Sequence, residues 1–574
     1  MRIDLLDVMD TTVGSRARAA ALLALALLGC ARLDPADLVL LHARIYPFAV
    51  DSGRVEAMAI RGGRIVYVGT DAGAEAYRGS ETRVLDLGGR PVLPGFHDTH
   101  MHPRGGIALA ECPLATLATR AAILDSVRRC AASGPDRPWI RGSGWELPVF
   151  PGANPHKEWL DSVVPDRPVY LRAADGHSAW VNSRALEIAT VTAATRDPAH
   201  GRIERDAAGN PTGTLRESAM ALVARHLPPR SPEEIRDGLA HGLALANQVG
   251  ITTVHEASAD TTLLAAYAEL ADADRLTARV VAAMAVDPLG GTQQVGTLRA
   301  WRDRFARPPL FRPTAAKLVV DGVIEAKTAV LLAPYGDGSG SRGAPNLPQA
   351  SLDSLVAALD AAGFQVHAHA IGDGAVRMML DALEQARRLN GPRDARPILA
   401  HLQLIHPDDL PRFERLGVVA SFQPLWAWAD TYILDLTIPV LDSARSSRLY
   451  PMGSMARAGA HLAAGSDWPV SSINPFEAMQ VALSRRAPND TTGGPAWLPE
   501  ERVDLPTMLR AYTATGAWAA GDEAENGTLE VGKAADLIVL DRDPHVIPVR
   551  LLHQTRVLLT LVDGREVWRD ASLP

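Results

Sequence analysis

The chain has 574 residues, of which 47% are hydrophobic and 22% are charged. This composition is that of a folded globular protein and excludes the disordered, collagenous and coiled-coil classes. The formal net charge is −8, and no dense basic run is present that could follow a phosphate backbone. Nucleic acid is therefore not expected as a partner.

The first residues carry the pattern of an export signal. Two arginines precede an apolar run from Ala19 to Leu28, which is followed by Gly29 and Cys30. The run is too short to span a membrane, and the Gly29-Cys30 step resembles a bacterial lipoprotein cleavage box. We predict that residues 1–30 are a signal peptide and that the protein is periplasmic or is a membrane-anchored lipoprotein with lipid on Cys30. A plain cleaved signal is the alternative.

The cysteines are too few to form a disulfide framework. The chain has three cysteines, Cys30, Cys112 and Cys130, without the spacing of a structural zinc site. Export would place Cys112 and Cys130 in an oxidising compartment, where they either pair or remain two buried free thiols.

Short, β-branched segments punctuated by glycine lie near both ends of the chain. We predict that residues 36–90 and 521–574 together form one small β unit. Between them, residues 91–520 alternate helical spacing with strand-like runs, as in Leu352, Leu355 and Val356 before Phe364. Such alternation predicts parallel strands with helical crossovers.

The predicted strands number eight, as a closed (β/α)8 TIM-like barrel of the α/β class requires. The stretch at about residues 104–245 is too long for one crossover and is predicted to be an inserted subdomain over the barrel mouth. The candidate strands begin near Val92, Ile251, Arg279, Ala315, Phe364, Ile398, Val418 and Leu462.

Histidine and aspartate follow several of these strands. Strand alternation places Asp98, His100 and His102 on one face, whereas His97 faces the other way. His367 and His369 form a second pair on one face, and His401 and Asp467 end two further strands. The active sites of such barrels lie at the C-terminal ends of the strands, and imidazole is the commonest metal ligand. The pattern therefore indicates a metal centre.

Lys317 interrupts an apolar strand, and burial of a lysine is costly unless it is paired or neutral. Two interpretations follow. Lys317 either forms an ion pair with Asp321, or it is deprotonated, carboxylated by CO2 and bridges two metal ions.

The motifs as a set resemble the amidohydrolase superfamily over about residues 38–569. More narrowly, Asp175-Gly176-His177-Ser178-Ala179-Trp180-Val181-Asn182-Ser183 and Val320-Asp321-Gly322 resemble amidohydrolase family 3, which includes N-substituted formamide deformylases. The superfamily motifs are Pro94-Gly95-Phe96 through His102, His369-Ala370-Ile371-Gly372-Asp373, His401-Leu402-Gln403, Gly465-Ser466-Asp467-Trp468-Pro469-Val470 and the tail from Gly527 to Leu540.

The resemblance implies a distorted metal-bearing barrel beside a β-sandwich built from both termini. It implies Lys317 as a carboxylated bridge, and His367 matches no required position and is interpreted as lying behind a ligand. The metal ligands that it implies are His100, His102, His369, His401 and Asp467.

The expected activity is hydrolysis of a non-peptide C–N bond in a small amide or N-acyl substrate by metal-activated hydroxide. Asp467 would act as general base and then acid. His177 and His255 are predicted donors to the substrate oxygen, whereas Glu217, near a helix start, is predicted to be structural. One or two divalent ions are expected. Zinc is the first choice, but iron, manganese or nickel also suits these ligands.

Two alternatives remain. A mononuclear aminohydrolase that deaminates a cyclic amidine would normally have a glutamate three residues after His369, where this chain has Gly372. A non-catalytic exported solute-binding protein on the same barrel would have lost ligands, and none is missing. Trp145, Trp180 and Trp426 either line an apolar cavity or belong to ordinary core.

Overall fold

The computed structural model describes residues 34–47, 55–108, 111–115, 117–490 and 493–573. The predicted signal peptide and Cys30 lie outside these residues. Within the described ranges, no helix combines the length and the apolar character that crossing a membrane requires.

The β-strands are described first. In chain order they are β1 Leu38–Leu41, β2 Arg44–Ile45, β3 Ala57–Arg61, β4 Arg64–Gly69, β5 Arg83–Asp86, β6 Pro91–Pro94, β7 Phe96–Met101, β8 Cys112–Pro113, β9 Ile140–Trp145, β10 Val169–Ala173, β11 Ser178–Val181, β12 Gly201–Arg205, β13 Pro211–Glu217, β14 Ile251–Ala259, β15 Arg279–Ala285, β16 Phe311–Val319, β17 Gln365–Ala370, β18 Ile398–His401, β19 Val419–Phe422, β20 His461–Ala464, β21 Leu537–Leu540, β22 Val557–Val562 and β23 Arg565–Arg569.

The α-helices connect and cover these strands. In chain order they are α1 Asp71–Glu75, α2 Gly105–Ala108, α3 Arg120–Ser133, α4 Lys157–Asp161, α5 Ser183–Ile188, α6 Ala221–Ala224, α7 Pro232–Gln248, α8 Thr261–Asp272, α9 Gln294–Phe305, α10 Gln349–Ala361, α11 Asp373–Asn390, α12 Leu410–Leu416, α13 Ser443–Ser446, α14 Met452–Arg457, α15 Pro475–Ser484, α16 Leu505–Tyr512 and α17 Ala514–Ala520.

The central sheet is an eight-stranded parallel sheet formed by β7 and β14 to β20, each paired with its neighbour in the chain. Alternate strand residues such as Val254, Leu318 and Ala368 pack with helix residues such as Leu264 and Leu355 in one apolar cluster. This is the layer expected when helices cover the outer face of a barrel. The predicted TIM-like barrel is confirmed.

The chain enters the barrel later than the predicted start near Val92. Residues Pro91–Pro94 pair with β2 and β21 in another sheet, and the barrel strand begins at Phe96. Gly95 lies between the two. A Cβ atom on Gly95 would lie 2.3 Å from the side chain of Thr252, so only glycine lets the two backbones approach this closely. Hydrophobic character alone does not mark this change of sheet.

Two further sheets lie outside the barrel. One, of order β4-β3-β1-β5, is built from the N-terminal part alone, whereas the other, of order β2-β6-β21-β22-β23, combines both ends of the chain, as predicted. Leu40 and Ile60 from the N-terminal part share a buried cluster with Leu537 and Leu561 from the C-terminal part. Burial of this shared apolar surface holds the two ends together.

A six-stranded sheet, β12-β13-β11-β10-β9-β8, lies in the chain between β7 and β14. Trp145 and Trp180 are fully buried among its apolar residues, so they belong to ordinary core. A disulfide joins Cys112 of β8 to Cys130 of α3. Of the two states left open by the sequence, the structure has the paired one.

Candidate metal centre

Three side chains from separate strands converge at the C-terminal end of the barrel. His100, His401 and Asp467 are each at most 6% exposed, and their potential ligand atoms lie within 4.8 Å of one another. Nε2 of His100 is 3.5 Å from Oδ1 of Asp467. Nε2 of His102 is 3.3 Å from the same oxygen. Parallel strands that end at one rim bring these distant residues together.

A cation suits this arrangement. Oδ1 of Asp467 is buried and has no hydrogen-bond partner among the described residues, although two imidazoles face it. A buried carboxylate oxygen without a partner is costly, and carboxylate with imidazole is a ligand set that divalent metals accept. The residues present therefore fit a metal ion.

Backbone conformation contributes to the convergence. His401 has φ 77° and Asp467 has φ 53°, both in the left-handed region that non-glycine residues rarely adopt. Each costs on the order of 1 kcal/mol or more, and such strain is found where function fixes a conformation. The N–H of Asp467 donates to the carbonyl oxygen of His100 at 2.7 Å, which ties the last barrel strand to the first.

His369 lies beside these residues. Its ring centroid is 4.4 Å from that of His401. Nε2 of His369 donates to the carbonyl oxygen of Gly322 at 3.1 Å, which leaves Nδ1 as its ligand atom. Nδ1 of His401 donates to Oε1 of Gln423 at 2.9 Å, which leaves Nε2. Hydrogen bonds of this kind fix the tautomer and orientation of ligating histidines.

Lys317 is buried and has no ion pair or hydrogen bond among the described residues. Burial lowers the pKa of Lys317 to about 8, so a neutral amine is accessible near physiological pH. Asp321 is not its partner, because that carboxylate accepts three backbone N–H groups, from Val330, Ile371 and Gly372. The ion-pair interpretation of Lys317 is therefore wrong.

His177 reaches the centre from the inserted sheet. Its ring centroid is 5.1 Å from that of His369, and its Nδ1 is 2.9 Å from Oε2 of Glu217. Burial disfavours the imidazolium, but the charge and hydrogen bond of Glu217 raise the pKa of His177 to about 9. Glu217, predicted to be structural, instead orients His177. Its φ of 49° and the hydroxyl of Thr328, 2.9 Å from Oε1, hold the carboxylate in place.

His255, a predicted donor to the substrate oxygen, is enclosed by protein. Both of its ring nitrogens are buried without a partner among the described residues, and burial, with Arg312 nearby, lowers its pKa to about 3. The next residue, Glu256, approaches the centre instead, with Oε1 3.4 Å from Nδ1 of His102. Tyr267 donates to Oε2 of Glu256 at 3.0 Å. Sequence reasoning missed Glu256, although its position beside His255 at a strand end was a usable signal.

Asp98 does not share a site with His100 and His102, contrary to the prediction from alternation. The pairing of β7 with β14 shifts register opposite Asp98–Met101, so alternation is interrupted there. The Asp98 carboxylate instead accepts the N–H groups of His100 and Ser466. Burial raises its pKa to about 7. Asp98 thus fixes the backbone on both sides of the centre.

Two more side chains contact the rings of the candidate ligands. Nε2 of His367 lies 2.8 Å from Nδ1 of His100, in agreement with the interpretation that His367 stands behind a ligand. The ring of Trp426 lies parallel to that of His401, with 5.7 Å between centroids. Trp426 is half-buried and, unlike Trp145 and Trp180, lies at the centre.

The fold and these residues define a barrel hydrolase with a site for divalent metal. The model of the amidohydrolase family matches residues 83–568. The chain therefore belongs to the amidohydrolase family and is an enzyme of the class that hydrolyses C–N bonds other than peptide bonds.

Known proteins resemble most of the chain. Protein LONG AFTER FAR-RED 3 of Arabidopsis thaliana is 32% identical over 517 residues, 88% of this chain and 87% of that protein. N-substituted formamide deformylase of Arthrobacter pascens is 29% identical over 546 residues, 92% of this chain and 97% of the relative. A solved metal-dependent hydrolase of uncharacterized function from Pyrococcus horikoshii shares the fold, with a TM-score of 0.71 at 23% identity over 89% of this chain and 99% of its own.

Proposed function

We propose that the protein hydrolyses the C–N bond of a small N-acyl or N-formyl amine. The observation that carries this proposal is the buried, unpartnered Oδ1 of Asp467, which faces Nε2 of both His100 and His102. The relative from Arthrobacter pascens, by its name a deformylase of N-substituted formamides, supports an acyl substrate.

The ligand set divides between two ions, which we propose to be zinc because imidazole and carboxylate suit it. His100, His102 and Asp467 would hold the first, and His369 and His401 the second. The neutral amine of Lys317 would react with CO2, lose one proton and bridge both ions as a carbamate. Bound here, the ions would polarise the substrate carbonyl and acidify water.

The chain's own groups would move the protons. The carboxylate of Asp467 would take a proton from the attacking water and return it to the leaving nitrogen, since an amine leaves poorly unless it is protonated. The imidazolium of His177, maintained by Glu217, donates a hydrogen bond to the carbonyl oxygen, where negative charge develops. His255 has no such role in this proposal, because its nitrogens contact none of the described polar groups.

Deamination of a cyclic amidine is the second candidate, and the structure offers a specific argument against it. The proton-shuttling glutamate would occupy position 372, but a Cβ atom on Gly372 would lie 2.0 Å from the carbonyl oxygen of Val330. No side chain fits there without movement of the backbone. The surroundings of Gly372 therefore favour acyl hydrolysis.

The test is a substrate panel on zinc-loaded protein. N-formyl amines, N-acyl amines, N-acyl amino acids, cyclic amides and esters are compared, with Asp467→Asn as the inactive control and the exposed Asp435→Asn as the matched neutral control. We expect turnover of an N-acyl or N-formyl amine that is lost in Asp467→Asn alone. Turnover of esters only, or equal activity in both variants, would contradict the proposal.

We also propose that the protein is exported. The disulfide between Cys112 and Cys130 supports an oxidising compartment, because cytosolic thiols are kept reduced. Cell fractionation of the full chain, with thiol titration of the unfolded product, checks this. Recovery from the cytosol with both thiols free would contradict it.

A further inference from the structure

The interior of the barrel, beneath the candidate metal centre, contains buried polar atoms that lack partners. Three residues on the barrel strands contribute them, and each residue is at most 1% exposed. Among the described residues no hydrogen-bond partner exists for Oγ1 of Thr253, both ring nitrogens of His255 and Nδ1 of His367.

These atoms share one face of the sheet. Val254, Leu318 and Ala368 pack against the outer helices, so the residues next to them in the strands point inward. Thr253 and His255 are two residues apart on β14, and His367 lies on β17. The unpartnered atoms therefore face one common interior, which we call the column.

The tautomers of His100 and His367 show which interior atom requires a hydrogen-bond acceptor. A ligating histidine carries its proton on the ring nitrogen that does not bind the metal. In His100 that nitrogen is Nδ1, so Nε2 of His367 must accept its hydrogen bond, at 2.8 Å. Neutral His367 then carries its own proton on Nδ1, where an acceptor is required. The described residues provide none.

The lower end of the column is closed by protein. Gly516 of α17 packs so tightly on His97 that an added Cβ atom would lie 2.4 Å from the Cβ of His97. Ala519 of the same helix packs against Ile398 and Val419. A molecule enclosed above α17 would therefore exchange slowly with solvent.

We propose that the barrel interior between α17 and His367 is a binding site for a chain of ordered water molecules, which joins Thr253 and His255 to Nδ1 of His367 and thereby positions the imidazole of His100. Water is the ligand that fits, because it donates and accepts and because enclosed waters bind to several unpaired polar groups. The water site itself stands on the described residues alone, whereas the positioning of His100 rests on the proposed metal centre.

The direct test is a high-resolution crystal structure of the metal-free full chain. We expect ordered water within hydrogen-bond distance of Nδ1 of His367 and of one nitrogen of His255. Rearranged side chains that bond these atoms directly, or an interior without density, would overturn the proposal. Because no metal is present, this result is independent of the proposed function. If the wild-type protein binds no zinc, that result would contradict the proposed function but not the proposed water site.

A second test measures positioning. His255→Leu should weaken zinc affinity about 10-fold, because partners behind a ligand typically contribute 10- to 100-fold. It should also change the ¹⁵N shifts of the His100 ring, and His255→Gln should restore much of both. Val281→Ala is the matched control, because Val281 pairs with His255 in the neighbouring strand and offers space but no polar atom. Equal effects of His255→Leu and Val281→Ala would contradict the positioning role. If His255→Leu fails to fold, the crystal structure of the wild type still decides the matter.

Discussion

Nδ1 of His177 and Oε2 of Glu217 lie 2.9 Å apart, so one carboxylate sets both the charge and the orientation of the imidazole that reaches the metal centre from the inserted sheet. Glu217 adopts φ 49° to do so. A strained backbone at a residue that orients another is typical of functional sites.

The first prediction concerns this pair. Glu217→Gln removes the charge that maintains the imidazolium and should lower kcat by about 10²-fold, as expected for loss of a positioned proton donor. Metal content should not change, because Glu217 contacts no ligand directly. Thr328→Val is the control: it removes one hydrogen bond to Glu217 but keeps its charge. Equal kcat in Glu217→Gln and the wild type would contradict the role of His177.

The second prediction concerns the carboxylate behind His102. Glu256→Gln should weaken zinc affinity by about 10-fold, because a carboxylate 3.4 Å from the ring nitrogen of a proposed ligand is removed. Competition with a chromophoric chelator measures this. Tyr267→Phe removes only the hydroxyl that contacts Glu256 and should have a smaller effect. A larger loss in Tyr267→Phe than in Glu256→Gln would show that packing, rather than the carboxylate, holds His102.

The third prediction concerns Lys317. Lys317→Ala should lower the number of bound ions and abolish turnover, since the bridging group is lost, and short carboxylic acids in the buffer should restore part of both. Bicarbonate should increase metal loading of the wild type but not of the variant. Full metal content and activity in Lys317→Ala would contradict the bridging role.

The fourth prediction separates the tryptophans. Trp180→Ala should destabilise the protein by about 3–5 kcal/mol, because a fully buried aromatic side chain leaves a cavity. Trp426→Ala should have a smaller effect on the free energy of unfolding but should change KM, because its ring lies on His401 at the centre. Urea unfolding and steady-state kinetics measure the two quantities. An unfolding free energy lowered equally in both variants would contradict this division.

Much of the architecture was predictable from the sequence. Alternating strand and helix patterns predicted the eight-stranded barrel, and histidines and an aspartate after the strands predicted the cluster of His100, His401 and Asp467. The failures have a common origin in local backbone geometry. The register shift between β7 and β14 separates Asp98 from the histidines. Gly95 lies at the point where the chain leaves one sheet and enters the barrel.

Pairings between distant residues were not readable from spacing. Glu217 and His177 are 40 residues apart, and His100 and His367 are 267 apart. Periodicity shows which face of an element is buried but not which side chain of another element it meets. Glu256 follows His255 directly in the chain, and spacing alone does not show which of the two side chains reaches the metal centre.

We propose that residues from separate strands hold divalent metal at the rim of the barrel. The most direct test is the metal content of the purified full chain after exposure to zinc and removal of unbound ions, measured by mass spectrometry. We expect that the wild type retains one or two ions per chain and that the double variant His100→Ala/His401→Ala retains none above background. A wild type without bound metal, or a double variant with the same content as the wild type, would contradict it.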